Sequence, residues 1–125
     1  MTRSALTLAA LALFLAGCGG HGKPGGTVTA PADGSLRVKA EEYSFDPSTI
    51  VLSGAGTVRL TLDNKGTPAH NIKVEKDGRV IGGTPAFPAG ETRSATVKLA
   101  SGTYDFLCTV GDHAELGMKG TLKVD

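Results

Sequence analysis

Apolar and polar residues alternate along most of the chain from Leu36 onward, and a period of two predicts β-strands. The alternation covers residues 36–40, 58–62, 70–74, 95–99 and 120–124. Turn-forming clusters such as Asp46-Pro47 and residues 64–66 (NKG) separate these segments, and no segment of helical period here is longer than a turn or two. The sequence therefore predicts an all-β domain, a Greek-key β-sandwich or barrel of seven or eight antiparallel strands.

One predicted strand, residues 104–110 (YDFLCTV), ends with a thiol on its apolar face. Tyr104, Phe106, Cys108 and Val110 share that face because successive side chains of a strand alternate. The Cys108 sulfur is therefore expected to point inward, beside the two aromatic rings. Gly111 ends the strand, and the following loop returns over the strand end before alternation resumes.

The first 35 residues have a different composition. Residues 1–17 contain Arg3 and then an apolar run too short to cross a bilayer, so they are interpreted as a signal peptide. Residues 15–18 (LAGC) are similar to a bacterial lipoprotein box, which makes Cys18 the expected lipidation site; the alternative is an ordinary secretory signal with an incidental Cys18. Residues 18–35, rich in Gly and Pro, are expected to form a flexible tether to the folded domain at 36–125.

Charge and cysteine content narrow the function classes. Without residues 1–17 the chain has 12 Lys and Arg against 12 Asp and Glu, scattered along its length, so nucleic-acid binding through phosphate neutralisation is not expected. Of the two cysteines, Cys108 is the only thiol left once Cys18 is acylated. A Cys18–Cys108 disulfide is an alternative only if Cys18 is not acylated. We expect a monomeric extracytoplasmic protein on a bacterial membrane, in the periplasm or at the cell surface.

Four side chains form a candidate metal site: His70, Cys108, His113 and Met118. Each alone is more simply a core or surface residue. Together, one thiolate, two imidazoles and a thioether form a soft N/S donor set that suits both Cu(I) and Cu(II), whereas zinc rarely recruits Met. The combination predicts one mononuclear copper ion.

The same region resembles the copper loop of cupredoxins of the plastocyanin and azurin kind. Residues 102–108 (GTYDFLC), His113 and residues 117–122 (GMKGTL) carry the resemblance, and residues 42–47 (EYSFDP) and 69–71 (AHN) extend it to the first strands. It covers essentially the whole of 36–125. The resemblance implies a cupredoxin fold and a type 1 (blue) copper site.

By this resemblance the copper ligands are His70, Cys108, His113 and Met118, and Asn71 joins the two ligand loops by hydrogen bonding toward Thr109. Asn71 is otherwise an ordinary turn residue. Related loops of this length often have Pro-Gly before the second His, where this chain has Gly111-Asp112. The Asp112 carboxylate beside a ligand is expected to favour Cu(II), because the oxidised copper and thiolate carry net +1 and the reduced pair carry none.

The expected function is that of a membrane-tethered electron carrier, which cycles copper between Cu(I) and Cu(II). Redox partners, a cytochrome or a membrane oxidoreductase, are expected to dock near His113. The alternative is a copper-binding lipoprotein for capture, delivery or resistance without a redox role. We do not expect an enzyme, because three His, one of them His21 in the tether, cannot build a trinuclear copper cluster. Glu41-Glu42 is interpreted as a solvated strand end.

Overall fold

The computed structural model describes residues 25–125, so the predicted signal peptide, Cys18 and the first part of the predicted tether lie outside the described residues. The described part contains ten strands and no helix. The strands are β1 (Thr27–Ala30), β2 (Ser35–Glu41), β3 (Ser44–Asp46), β4 (Thr49–Leu52), β5 (Gly56–Asn64), β6 (Lys73–Lys76), β7 (Arg79–Gly83), β8 (Thr92–Leu99), β9 (Gly102–Leu107) and β10 (Lys119–Val124).

The strands form two sheets that pack face to face. One has six strands in the order β1-β4-β10-β9-β6-β7, and the other has four in the order β3-β2-β5-β8. This arrangement confirms the predicted all-β Greek-key sandwich. Ten strands form instead of seven or eight, and the short strands β1, β3, β4 and β7, of three to five residues, lie outside the segments that the alternation selects.

The prediction that all strands pair antiparallel is wrong in three places. β1 pairs parallel with β4, β10 pairs parallel with β4, and β2 pairs parallel with β5. In each pair the partners are far apart in sequence, so no hairpin forces them to run in opposite directions. The hairpins β6–β7 and β9–β10 are antiparallel, as expected.

The core lies between the two sheets and uses the residues that the alternation selects. Leu36, Val38 and Ala40 of β2 are buried, and so are Tyr104 and Phe106 of β9. The Phe106 ring packs against Phe45 of the opposite sheet, with 5.5 Å between ring centroids. The predicted inward face of β9 is therefore present, and it leads directly to Cys108, which is also buried.

The predicted boundary between tether and domain at residue 35 is wrong, because Thr27–Ala30 form β1 at the edge of the larger sheet. Only Ala30 of this strand is buried, and Gly and Pro flank the segment, so hydrophobic alternation gives no sign of it. The β-branched run of Thr27, Val28 and Thr29 favours a strand and was the available signal. A search of residues 25–125 for a long apolar helix that could cross a membrane finds none.

Asp63 joins three strands of the smaller sheet. Its carboxylate accepts two hydrogen bonds from Arg37 of β2, at 2.7 and 2.9 Å, and one from the hydroxyl of Thr92 of β8. The Thr92 hydroxyl and then the Arg37 guanidinium hold the pKa of Asp63 below its ordinary value of 3.8, and these contacts outweigh the opposing effect of burial. The ionised carboxylate therefore stabilises the folded state.

Replacing Asp63 with Asn is expected to lower the free energy of unfolding by about 1 kcal/mol at pH 7, a modest cost because the Arg37 side chain is largely exposed. Because the pKa is lower in the folded than in the unfolded state, the stabilisation is present above pH 3.8 and is lost as the pH falls through the folded-state pKa. Urea unfolding at several pH values should show the difference between wild type and Asp63→Asn shrinking below pH 3.8. A difference independent of pH contradicts this account.

Candidate metal centre

Cys108 lies one residue beyond the end of β9, where the sandwich core meets the loops at one end of the sheets. It is a free cysteine with no exposed surface. Two imidazole nitrogens approach its sulfur: Nδ1 of His113 at 3.5 Å and Nδ1 of His70 at 3.9 Å. The inward orientation expected from the β9 alternation therefore brings the thiol to both histidines.

His70 lies before β6 and is not part of a continuous strand, in contrast to the prediction for residues 70–74. Its backbone forms an isolated antiparallel bridge with Phe87, in which His70 N donates to Phe87 O at 3.3 Å and Phe87 N donates to His70 O at 3.1 Å. The Phe87 side chain is buried. Phe87 thus fixes the backbone of the first histidine.

Backbone hydrogen bonds close the loop from Cys108 to Met118. Cys108 N donates to Met118 O at 3.1 Å, and Met118 N donates to His113 O at 3.0 Å, so the backbone of Met118 is bonded to both other residues. The Met118 side chain is fully buried. Gly111 has a φ of 49°, which Pro, with φ held near −65°, cannot adopt; the absence of Pro before Asp112 is therefore consistent with this backbone path.

The three donor atoms of His70, Cys108 and His113 all lie within 4.8 Å of one another, and all three residues are buried. Two ligands about 2.0 and 2.3 Å from one metal ion, separated by 120°, are roughly 3.7 Å apart. The sulfur-to-nitrogen distances of 3.5 and 3.9 Å fit that geometry. The donor set, a thiol with two imidazoles and a buried thioether nearby, is the one that copper prefers.

The surroundings of His70 favour the neutral form of its imidazole, which is the form that binds a metal ion. Burial lowers the pKa of its imidazole below 6.5, the nearby His113 lowers it further, and the carboxylate of Glu42 acts in the opposite direction. The ring is therefore neutral at pH 7 and has a free lone pair for a metal ion.

Asn71 connects the two segments that carry the donors. Its side-chain NH2 donates to Thr109 Oγ1 at 2.8 Å, and its side-chain oxygen accepts from Thr109 N at 2.8 Å. Asn71 follows His70 and Thr109 follows Cys108, so this pair of bonds holds the residues next to two donors together. The arrangement is the one implied by the sequence resemblance.

The surroundings of the two histidines differ. His113 keeps 8% of its surface exposed, whereas His70 has none. The ring of Tyr43 packs on His113 with 4.8 Å between centroids and is itself 38% exposed, and Leu116 is 52% exposed. Asp112 is exposed, so solvent screens the carboxylate that was expected to act on the metal.

Three residues that hold the site were not identified from the sequence. Asn64, read only as part of a turn, donates from its side chain to Pro68 O and Phe87 O at 2.9 and 3.0 Å and thereby shapes the loop before His70. Glu42, read as a solvated strand end, accepts a hydrogen bond from Thr67 N in that same loop. Tyr43 covers His113. The NKG pattern around Asn64 was a usable signal, but nothing in the sequence indicates the contacts of Glu42 and Tyr43.

Comparisons with known proteins agree with this site. A family model described as copper binding proteins, plastocyanin/azurin family, matches residues 32–125. A search of curated proteins finds no match.

Solved structures share the fold. Auracyanin B is 25% identical, with 82% of this chain and 97% of that chain covered and a TM-score of 0.68. Auracyanin A, a "blue" copper protein from Chloroflexus aurantiacus, is 22% identical, with 77% and 100% covered and a TM-score of 0.63. Rusticyanin from Thiobacillus ferrooxidans is 21% identical, with 79% and 82% covered and a TM-score of 0.66.

Replacing Asn71 with Ala is expected to lower the free energy of unfolding of the metal-free protein by about 2 kcal/mol, because two hydrogen bonds are lost and Thr109 N is left without its acceptor. Thr109→Ala removes only the side-chain bond of an exposed residue and should cost less than about 1 kcal/mol. Urea unfolding of both variants measures the difference. Equal costs would mean that the bond to the Thr109 backbone does not stabilise the site.

Proposed function

The chain belongs to the plastocyanin/azurin family of copper-binding proteins, and from this premise we propose that it carries single electrons through one mononuclear type 1 copper centre. The observation that carries the proposal is the burial of three donor atoms within 4.8 Å of one another. Donors already placed by the fold need little rearrangement when the charge of a bound metal changes. Small rearrangement is what one-electron transfer requires.

His70, Cys108 and His113 would hold the copper ion, together with the buried thioether of Met118. Bound copper supplies the Cu(I)/Cu(II) couple. The protein residues have other roles: burial excludes water from the donors, and the Asn71–Thr109 bonds and the Met118 backbone keep the ligand segments in register.

The surface around His113 is the proposed docking site for redox partners. Of the two histidines of the set, only His113 keeps exposed surface. Tyr43 packs on its ring, and Leu116, three residues further along the same loop, adds exposed apolar area. A flat apolar surface allows a cytochrome or a membrane oxidoreductase to approach the imidazole closely. Partners are therefore proposed to exchange electrons through the edge of His113.

We further propose that the protein works outside the cytoplasm, attached to a bacterial membrane by lipid on Cys18. The support is the LAGC segment at residues 15–18, after a short apolar run.

Copper capture or delivery without a redox role is the second candidate function. The structure favours it less, because a carrier that transfers its metal needs accessible ligands, whereas His70, Cys108 and Met118 have no exposed surface. The rate at which copper passes to a competing chelator distinguishes the two functions.

Loading the purified domain with Cu(II) is expected to give an intense visible absorption band from thiolate-to-copper charge transfer, fast electron exchange between oxidised and reduced copies, and slow copper loss to a chelator. Cys108→Ser should abolish the band. Absorption spectroscopy measures the band and its loss to a chelator, and NMR line broadening in mixtures of oxidised and reduced protein measures the electron exchange. Absence of the band in the wild type overturns the type 1 centre, and rapid copper loss with slow electron exchange favours copper delivery.

The docking surface is tested in the same experiment by a matched pair of variants. Leu116→Asp should keep the band but slow electron exchange roughly tenfold, because two like charges then meet at the contact between copies. Val80→Asp introduces the same charge at a residue of similar exposure, 49% against 52%, on edge strand β7, and should leave the rate nearly unchanged. Equal slowing by both variants would contradict docking at His113.

Replacing Cys18 with Ala is expected to move the full-length protein, produced in a bacterium, from the membrane fraction to the soluble extracytoplasmic fraction. The reason is that acylation needs the Cys18 thiol, and hydrocarbon chains supply the membrane affinity. Cell fractionation and the intact mass of the detergent-extracted protein make the measurement. A soluble wild-type protein without added lipid mass would contradict the anchor.

A further inference from the structure

The second ring nitrogen of His70 has no hydrogen-bond partner. Nδ1 faces the Cys108 sulfur at 3.9 Å, so Nε2 points away from the donor set. Within residues 25–125, Nε2 of His70 is the one buried side-chain nitrogen or oxygen that lacks a partner. A metal-binding histidine almost always donates this second N–H to a carboxylate, a carbonyl or water. The unpartnered atom therefore indicates that a group near it completes the site.

Glu42 lies on that side of the ring. A Cβ built on Gly66 would be 2.7 Å from His70 Nε2 and 2.9 Å from Glu42 Oε1, so both atoms border the same small gap. Two atoms this close to one point are less than about 6 Å apart, a distance within which a charge acts on an imidazole.

Contacts with the loop before His70 hold the Glu42 carboxylate in place. Its Oε1 accepts a hydrogen bond from Thr67 N. This bond and one from its own backbone N–H hold the pKa of Glu42 below 4.5. Glu42 therefore carries a negative charge at pH 7, and the hydrogen bond from Thr67 N holds its carboxylate beside the loop although the residue is exposed.

Gly66 keeps the gap open. Any other residue would place a Cβ within 3 Å of both His70 Nε2 and Glu42 Oε1, and one of them would have to move. Gly66 N also donates to the side-chain oxygen of Asn64 at 3.0 Å, which fixes its backbone. A residue without a side chain at position 66 therefore lets the Glu42 carboxylate and the His70 imidazole border the same gap.

We propose that Glu42 is a positioning residue of the copper centre. Its carboxylate faces the Nε2–H of His70, keeps Nδ1 directed toward Cys108, and stabilises the oxidised form. The inference rests on the proposed copper function. The sign follows from charge: oxidised copper with its thiolate carries net +1 and the reduced pair carry none, so a nearby anion stabilises the oxidised state more.

Asp112, the carboxylate expected from the sequence to have this role, is less well placed. Both carboxylates belong to exposed residues, but Glu42 Oε1 borders the buried Nε2 of a ligand without exposed surface, whereas Asp112 only precedes His113 in the chain. Solvent screens both charges, so the larger effect expected of Glu42 rests on its position beside the His70 ring. The two carboxylates therefore form a natural comparison.

The test replaces Glu42 with Gln, which keeps an acceptor for Thr67 N and removes the charge. Reduction potentials by voltammetry and copper affinities by chelator competition are measured for the copper-loaded protein. Glu41→Gln and Asp112→Asn are the matched controls: Glu41 is the preceding residue, half exposed and paired with Lys39. We expect Glu42→Gln to raise the potential clearly above both controls and to lower Cu(II) affinity roughly tenfold, more than Cu(I) affinity.

A second measurement needs no copper. NMR of the metal-free protein should show the His70 ring proton on Nε2, and its exchange with water should be faster in Glu42→Ala than in the wild type or in Glu41→Ala. Two results overturn the role of Glu42. One is an equal reduction potential for Glu42→Gln and the controls, with the blue band present in all variants; the other is an exchange rate that Glu42→Ala does not change. Either result leaves the copper centre intact. A wild type without the band overturns the copper centre and this inference together.

Discussion

The structure depends on one constraint: a thiol and two imidazoles must stay buried within 4.8 Å of one another. Side chains brought together in this way lose hydration and conformational freedom, so the surrounding fold has to supply the compensating order. Backbone hydrogen bonds do this on both sides of the site: His70 and Phe87 bond to each other, Cys108 N donates to Met118 O, and Met118 N donates to His113 O. The geometry of the metal centre therefore depends on the loop backbone as well as on the ligand side chains.

The sandwich places those loops at one end. β9 runs toward the site and β10 runs away from it as its antiparallel partner, so Cys108 and Met118 leave and re-enter the same pair of strands. β6 pairs with the other side of β9, which brings the segment after His70 alongside. Asn71 then needs only its own side chain to reach Thr109. Residues 38 positions apart in sequence are joined by short local contacts at the sheet end.

Local pattern was sufficient to predict most of the core and the ligand strand. The alternation at Leu36, Val38 and Ala40, and at Tyr104 and Phe106, identifies buried faces because side chains of a strand point to opposite sides. Parallel pairings such as β2 with β5 could not be predicted, since no local signal fixes which distant strands become neighbours. The first residues of the domain were assigned to a tether because β1 buries only Ala30.

The candidate site shows the same division. The types and spacing of His70, Cys108, His113 and Met118 indicate a soft metal without reference to any contact. Glu42 carries no such signal, because an acidic residue after a strand is usually solvated, and its bond to Thr67 spans 25 positions. The charge that approaches a ligand could therefore be found only from the folded chain.

The position of β1 has a consequence for where the protein can work. β1 runs parallel to β4 and β10, and β10 begins next to Met118. Thr27, the first residue of β1, is therefore nearer the candidate metal centre than Ala30, its last residue. Gly25, where the described chain begins, accepts a hydrogen bond from the Ser48 hydroxyl on that half of the sheet. Seven residues from Cys18 span at most about 25 Å. The proposed lipid on Cys18 would therefore hold the candidate metal centre close to the membrane. Only partners within a thin layer above the bilayer could then reach His113.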